Sequence, residues 1–99
     1  MEALSLRFAK RAERQLDDIL SCIALDNPDA VQKITEHIEA LMAKVLAFPE
    51  MGRTVFEDLP YREVLAYPCR LIYRRMEPTI WVVAVLRVEQ LLRRGMLEG

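Results

Sequence analysis

The sequence predicts an α+β fold in which one short strand is followed by two helices and then by three strands. The prediction depends on a change of hydrophobic period along the chain. Apolar residues alternate with polar ones at the start and again after residue 60, as in strands, and between these regions they recur at helical spacing. With 99 residues, of which 53% are hydrophobic, the chain is long enough for one core, and we predict a single domain over residues 1–99.

The first strand and the first helix are predicted from adjacent patterns. Leu4, Leu6 and Phe8 alternate with Ser5 and Arg7, which is typical of a strand with one buried face. From about residue 9 the period becomes helical, with one apolar stripe formed by Ala12, Leu16, Ile19 and Ile23. This segment is predicted to be an amphipathic helix.

A second helix is predicted to begin at Asn27-Pro28. Asparagine is a favoured N-cap, and proline suits the first helical position. The apolar stripe then continues through Val31, Ile34, Ile38, Leu41, Val45 and Phe48. Because the two helices are separated by only a residue or two, they are expected to form an antiparallel hairpin, which ends at Pro49 and Gly52.

Three strands are predicted over residues 61–66, 69–75 and 79–87, joined at Tyr67-Pro68 and Glu77-Pro78 as an antiparallel meander. In the last strand, strict alternation places Ile80, Val82, Ala84 and Leu86 on one face and Trp81, Val83 and Val85 on the other. Two apolar faces predict a strand with neighbours on both edges. Residues 89–97 are compatible with either a frayed turn or a short helix.

Composition excludes several functional classes. A net charge of −1 is no basis for nucleic-acid binding. Cys22, Cys69 and the single histidine, His37, form no metal-binding motif, so we expect neither metal nor cofactor. The longest apolar run, residues 80–86, is too short to span a membrane, and the N-terminus lacks the pattern of a signal peptide. These features predict a cytoplasmic protein without a membrane partner.

The order of these elements and four short motifs resemble the ParE/RelE superfamily of toxins from type II toxin-antitoxin systems, with the closer match to ParE. The motifs are Ala12-x-x-x-Leu16-Asp17-Asp18-Ile19, Asn27-Pro28-Asp29-Ala30, Phe48-Pro49-Glu50-Met51-Gly52-Arg53 and Arg70-Leu71-Ile72-Tyr73-Arg74. The resemblance covers nearly the whole chain. It implies a two-layer fold with the helical hairpin packed on an antiparallel sheet and the first strand beside the last, and it implies a cognate antitoxin as partner.

Within this superfamily the resemblance leaves two activities open. ParE-like members are described as inhibitors of DNA gyrase, whereas RelE-like members cleave messenger RNA on the ribosome without a metal ion. A ribonuclease here would use Arg53, Arg70 and Arg87, whose guanidinium groups could converge on a phosphate. No His or Tyr follows Arg75, and the absence of an obvious general acid or base favours the gyrase inhibitor, a non-enzymatic toxin. The alternatives are the ribosome-dependent ribonuclease and a degenerate, non-toxic member that binds its antitoxin.

The arginines also have structural interpretations. Arg70 and Arg87 can pair with Glu63 or Glu89 across the sheet, and we predict specifically that Arg70 binds Glu63. Tyr73 and Trp81 are interpreted as packing residues, and His37 as a partly exposed structural residue. The antitoxin-binding residues are not predicted, and direct DNA binding is not expected without the antitoxin.

Overall fold

The fold comprises two helices and a five-stranded sheet. The computed structural model describes residues 3–97. Its elements are β1 (Ser5–Phe8), α1 (Lys10–Asp26), α2 (Pro28–Ala47), β2 (Arg53–Thr54), β3 (Tyr61–Ala66), β4 (Cys69–Met76), β5 (Thr79–Arg87) and a 3-10 helix at Arg94–Met96. The predicted order of one strand, two helices and a meander is confirmed. Neither helix, within residues 3–97, is long and apolar enough to serve as a membrane span.

The strands lie in the order β1-β5-β4-β3-β2. The pairs from β2 to β5 are antiparallel, and β1 pairs with β5 in parallel register, with Leu6 opposite Ile80 and Phe8 opposite Val82. The first strand therefore lies beside the last, as expected, but the sheet is mixed and not wholly antiparallel. The two-residue strand β2, which was expected to be loop, adds a fourth strand to the meander because Arg53 and Thr54 pair with Glu63 and Arg62.

The helical hairpin covers one side of the sheet, here called the helix face. Asn27 caps α2 as predicted, since its Oδ1 accepts a hydrogen bond from the Ala30 amide at 3.3 Å and Pro28 occupies the first turn. The helix-side core joins residues of both helices to alternate residues of β3, β4 and β5. Phe48 was predicted to extend the apolar stripe of α2, but it lies just beyond the last helical residue and is 68% exposed.

Strand β5 contains an irregularity that strict alternation does not predict. Ile72 is opposite Ala84 but Tyr73 is opposite Val82, so Val83 is an extra residue, as in a β-bulge. Ile80 and Val82 pack in the helix-side core, whereas Ala84 and Leu86 pack on the other face. The predicted grouping of Ile80, Val82, Ala84 and Leu86 on one face is therefore wrong.

A side chain from α1 compensates for this bulge. Gln15 Oε1 accepts a hydrogen bond from the Val85 amide at 2.8 Å, two residues after the extra residue. A backbone amide released from the ladder by a bulge needs such a partner when it is buried.

The opposite side of the sheet, here called the outer face, is partly covered by the C-terminal segment (residues 88–97). This segment consists of a turn at residues 88–90, an irregular stretch at 91–93 and the 3-10 turn, and its Leu97 is buried. The second apolar cluster forms there from Ile72, Ala84, Leu86 and Leu97, with Val55, Phe56, Tyr61 and Leu92 packed around it. Both faces of β5 are thus covered and both its edges are paired, as predicted for an interior strand.

The two cysteines differ in their surroundings. Cys69 is buried, and this burial raises the pKa of its thiol. Cys22 is exposed, because it lies beside the stripe of Ile19 and Ile23 and not within it. Among residues 3–97, no three His, Cys, Asp or Glu side chains come together as a metal ion would require.

Candidate functional site

The motif segment (residues 48–53) lies between the end of α2 and β2, and the Tyr73 side chain holds it against the sheet. The Tyr73 hydroxyl donates a hydrogen bond to the Pro49 carbonyl at 2.7 Å and accepts one from the Gly52 amide at 3.0 Å. Burial raises the pKa of this hydroxyl, so it remains protonated as the geometry requires. Tyr73 is therefore a structural residue, consistent with its sequence interpretation as packing.

A neighbouring arginine secures the same segment through its backbone. Arg62 Nη1 donates hydrogen bonds to the Gly52 carbonyl at 2.8 Å and to the Glu50 carbonyl at 3.2 Å. Because the chain turns sharply here, its carbonyls are not paired within a sheet or helix, and a guanidinium satisfies two of them at once. Arg62 and Tyr73 together place Arg53 at the start of β2.

Removing the Tyr73 hydroxyl should loosen this attachment. We expect Tyr73→Phe to lower the free energy of unfolding by about 1 to 2 kcal/mol, because the Gly52 amide loses its partner in a buried position. Urea unfolding followed by circular dichroism measures the change. Tyr67→Phe is the matched control, since Tyr67 is 74% exposed, and equal losses in the two variants would contradict the role assigned to Tyr73.

Three charged side chains from adjacent strands meet on the outer face. Glu63 of β3, with a side chain only 2% exposed, lies between Arg53 of β2 and Arg70 of β4. Arg53 Nε and Nη2 each lie 2.8 Å from Glu63 Oε1. Arg70 Nη2 and Nε lie 2.7 and 3.1 Å from Oε2. The prediction that Arg70 binds Glu63 is confirmed.

The two guanidinium groups of this cluster differ in exposure. The Arg70 side chain is 14% exposed, whereas that of Arg53 is 77% exposed. Glu63 is the one buried charged residue of the described chain. A buried carboxylate is tolerated when each oxygen accepts charge-assisted hydrogen bonds, and both oxygens of Glu63 do so.

Arg70 also joins the cluster to the C-terminal segment. Its Nη1 donates a 2.7 Å hydrogen bond to the Gln90 carbonyl, and Gln90 Oε1 accepts one of 2.7 Å from the Arg87 amide. Further along, Arg94 pairs with Asp58, and this bond holds the pKa of Asp58 below its usual range. Between this segment and β2 lies a concavity of about 330 Å³, lined by Arg53, Thr54, Val55, Phe56, Arg70, Gln90, Leu91 and Leu92.

The third arginine that a ribonuclease would use lies elsewhere. Arg87 pairs with Glu89, Nε to Oε1 at 2.9 Å, and this bond raises the pKa of Arg87. The bulge at Val83 places Val85 in the helix-side core, and alternation then places Arg87 on the helix face as well. The structure therefore brings Arg53 and Arg70 together but not Arg87, so the three guanidinium groups do not converge as the ribonuclease alternative requires.

The groups near the Arg53-Glu63-Arg70 cluster are not those of an acid-base catalyst. The concavity beside it contains no His, Tyr or Cys among its lining residues, and His37 is exposed on α2, as interpreted from the sequence. Glu63 neutralises one of the two guanidinium charges. Chemically, this arrangement suits a rigid support for a binding surface better than a cradle for a phosphoryl transition state.

Sequence reasoning missed Arg62 and Gln90 as contributors to this region, and it gave Gly52 only as an end of the helical hairpin and as part of a motif. Only Gly52 had a visible signal, since a glycine directly before a charged strand residue can mark a close backbone approach. The contacts of Arg62 and Gln90 join segments far apart in the chain, and no local pattern encodes them.

Comparison with known proteins identifies relatives of the chain. A family model described as the ParE toxin of the type II toxin-antitoxin system parDE matches residues 6–92. Among solved structures, the chain is similar to one of the chromosomal ParDE toxin-antitoxin system of Pseudomonas aeruginosa. The TM-score is 0.72 at 20% identity, over 88% of this chain and 98% of that one.

A second solved structure with the same fold is the RelBE2 toxin-antitoxin complex of Mycobacterium tuberculosis. Here the TM-score is 0.61 at 17% identity, over 87% of this chain and 99% of the other. At these identities the likeness establishes the fold. No curated protein matches the chain.

Proposed function

Because the chain belongs to the ParE toxin family of type II toxin-antitoxin systems, we propose that it inhibits DNA gyrase by direct protein contact and is neutralised by a cognate antitoxin. The observation that carries this proposal is the pairing of its arginines. Arg53 and Arg70 share the buried carboxylate of Glu63, and Arg87 pairs with Glu89. The cations that a ribonuclease of this fold would direct at a phosphate are engaged with carboxylates instead.

The electrostatics of the cluster support a binding role. A transition-state phosphate gains most from donors whose charge is not already balanced. Here Glu63 balances one guanidinium, and binding a phosphate would place an anion against the buried carboxylate. Inhibition of gyrase by protein contact requires no phosphate-binding cation; it requires only a surface that the partner recognises.

Exposed apolar side chains offer such a surface. Phe48, Met51, Leu65 and Tyr67 are between 44% and 74% exposed, and Met51 and Leu65 line a shared concavity of about 400 Å³ next to Arg53. Exposed apolar groups in this number on a small domain favour interaction with another protein. Binding of an antitoxin to this or another part of the folded toxin would stabilise it by mass action.

The proposal predicts loss of DNA supercoiling without loss of messenger RNA. Purified protein added to gyrase, ATP and relaxed plasmid should reduce supercoiling in a dose-dependent way, and the cognate antitoxin should restore it. Messages on translating ribosomes should remain intact in a parallel assay. Arg87→Ala removes only an exposed ion pair, so it should retain the inhibition of gyrase.

Three other results are informative. Codon-phased cuts in ribosome-bound messages that disappear in Arg87→Ala, with supercoiling unaffected, would identify a ribonuclease. Inhibition of gyrase that disappears in Arg87→Ala would place this residue in the contact surface and contradict the structural role assigned to it. A folded protein that affects neither process and binds its antitoxin would be a degenerate, non-toxic member.

A further inference from the structure

A row of alternating cationic and aromatic side chains crosses the outer face at the end of the sheet opposite Glu63 and Arg70. Four strands contribute one residue each, because Arg7 of β1 is opposite Trp81 of β5, Trp81 is opposite Arg74 of β4, and Arg74 is opposite Tyr61 of β3. We name these four residues the cation-aromatic row. The Arg74 guanidinium carbon lies 5.8 Å from the centre of the Tyr61 ring, a distance at which a cation and a ring attract.

The two arginines of this row differ from five arginines of the sheet and the C-terminal segment that form ion pairs. Each of the latter binds a carboxylate, namely Arg53, Arg70, Arg75, Arg87 and Arg94. Within residues 3–97, no carboxylate lies within ion-pair distance of Arg7 or Arg74. The Nε of Arg74 is also buried without a hydrogen-bond partner, which costs free energy unless a ligand or a neighbour offsets it.

The same end of the sheet has an open edge. Strand β1 is an edge strand, with β5 as its one neighbour in the sheet of the described residues. The Ser5 amide bonds to the Pro78 carbonyl in the β4-β5 turn, and the Ala9 amide bonds to the Val82 carbonyl of β5. In a parallel ladder alternate residues point to opposite neighbours, so the backbone groups of Leu6 and Phe8 point away from β5. No strand lies beyond them in the described part of the chain.

A concavity surrounds this edge. It measures about 790 Å³ and is lined by Leu6, Arg7, Phe8, Ala9, Lys10, Glu13, Leu16, Asp17 and Trp81. The two sides of the edge differ chemically. Leu6, Phe8 and Leu16 contribute to the helix-side core, with Glu13 and Asp17 nearby, whereas Arg7 and Trp81 belong to the outer face.

We propose that this edge binds an extended segment of a partner protein in which acidic and apolar residues alternate. The segment would pair with the Leu6 and Phe8 backbone groups. Its acidic side chains would face Arg7 beside Trp81, and its apolar ones would face Leu16. Glu13 and Asp17 on the helix side disfavour the opposite orientation, in which carboxylates would meet carboxylates. The proposal holds whichever cellular target the toxin has.

Two other occupants fit less well. A second copy that paired β1 with β1, with Leu6 opposite Phe8, would set the two Arg7 side chains against each other, and like charges directly opposite are destabilising. A nucleic acid would bring phosphates to the two arginines but also to Glu13 and Asp17, and Trp81 is half-buried between its neighbours and presents little ring surface for stacking.

Trp81 is the only tryptophan of the chain, so its fluorescence reports on this site alone. We expect an acetylated hexapeptide of alternating Asp and Val to change this fluorescence saturably in the full-length protein. A hexapeptide of alternating Lys and Val should have no effect. Arg7→Gln should weaken the binding of the acidic peptide at least about tenfold, as loss of a charge-assisted hydrogen bond implies.

Arg75→Gln is the matched control, because Arg75 follows Arg74 on β4 but points to the opposite face and pairs with Glu77. Its affinity for the acidic peptide should equal that of the unsubstituted protein. No saturable change, or equal weakening in both variants, would overturn the proposal. It would also be overturned by an oligothymidylate that displaces the peptide, which indicates a nucleic-acid surface, or by a concentration-dependent dimer that prevents binding of the acidic peptide, which indicates a second copy.

Discussion

Glu63→Gln should be among the most destabilising conservative substitutions in this chain. The variant keeps the size of the side chain but leaves the mostly buried Arg70 guanidinium, 14% exposed, without a counter-charge. Removing one member of a buried ion pair costs roughly 3 to 5 kcal/mol, whereas the exposed Arg53 adds little. For a domain of this size, a loss of 3 kcal/mol lowers Tm by roughly 10 to 20 °C. Differential scanning calorimetry measures both quantities.

Glu77→Gln provides the matched control for this prediction. Glu77 also pairs with an arginine of β4, but its side chain is 69% exposed and that of Arg75 is 42% exposed. Exposed pairs of this kind contribute less than about 1 kcal/mol. A Glu63→Gln variant that unfolds at the same temperature as Glu77→Gln would show that the cluster does not stabilise the sheet.

The position of Arg70 was predictable because strand alternation and cross-strand pairing are local rules. Both strands, 61–66 and 69–75, are bounded by residues that favour turns, so their register follows from the turn between them. Once Val64 is opposite Leu71, Glu63 and Arg70 lie diagonally on one face. Arg87 pairs with Glu89, one of the two carboxylates considered for it, but this neighbour is two residues away in the chain and not across the sheet.

The position of Arg87 was not predictable in the same way, because one extra residue moves every later side chain of the strand to the opposite face of the sheet. Without a bulge, Arg87 would lie on the face of Trp81 and hence on that of Arg70. The bulge at Val83 places the side chains of Val85 and Arg87 on the helix face instead. Its stabilising partner, Gln15, lies in α1, 70 residues away in sequence. A contact of that range leaves no trace in the local pattern of β5.

The short strand β2 and the C-terminal segment were ambiguous for a related reason. Two residues cannot show a period, so Arg53 and Thr54 carry no strand signal of their own. Residues 89–97 are helix-compatible, but Leu92, Met96 and Leu97 pack on the outer face of the sheet and Arg70 holds the Gln90 carbonyl. Tertiary contacts of this kind override weak local propensity.

Gly52→Ala should also unfold the protein at a markedly lower temperature. A Cβ atom at this position would lie 2.7 Å from the Tyr73 hydroxyl and 2.8 Å from the Glu63 carbonyl oxygen. The second contact is with backbone inside the sheet, which cannot move without disturbing the pairing of β2 with β3. We therefore expect a loss of roughly 3 kcal/mol, at the upper end of the usual cost of overpacking. Gly95→Ala is the control, since no atom lies within 4 Å of its added Cβ.

Combining Gly52→Ala with Tyr73→Phe distinguishes the two contacts. Phenylalanine removes the hydroxyl oxygen, but the ring carbon at 2.8 Å and the Glu63 carbonyl remain. The double variant should therefore be less stable than either single variant, with a combined loss somewhat smaller than the sum of the two. A double variant as stable as Tyr73→Phe alone would mean that the hydroxyl was the whole obstacle. In that case, the need for glycine before Arg53 would not come from close packing of the motif segment against the backbone of β3.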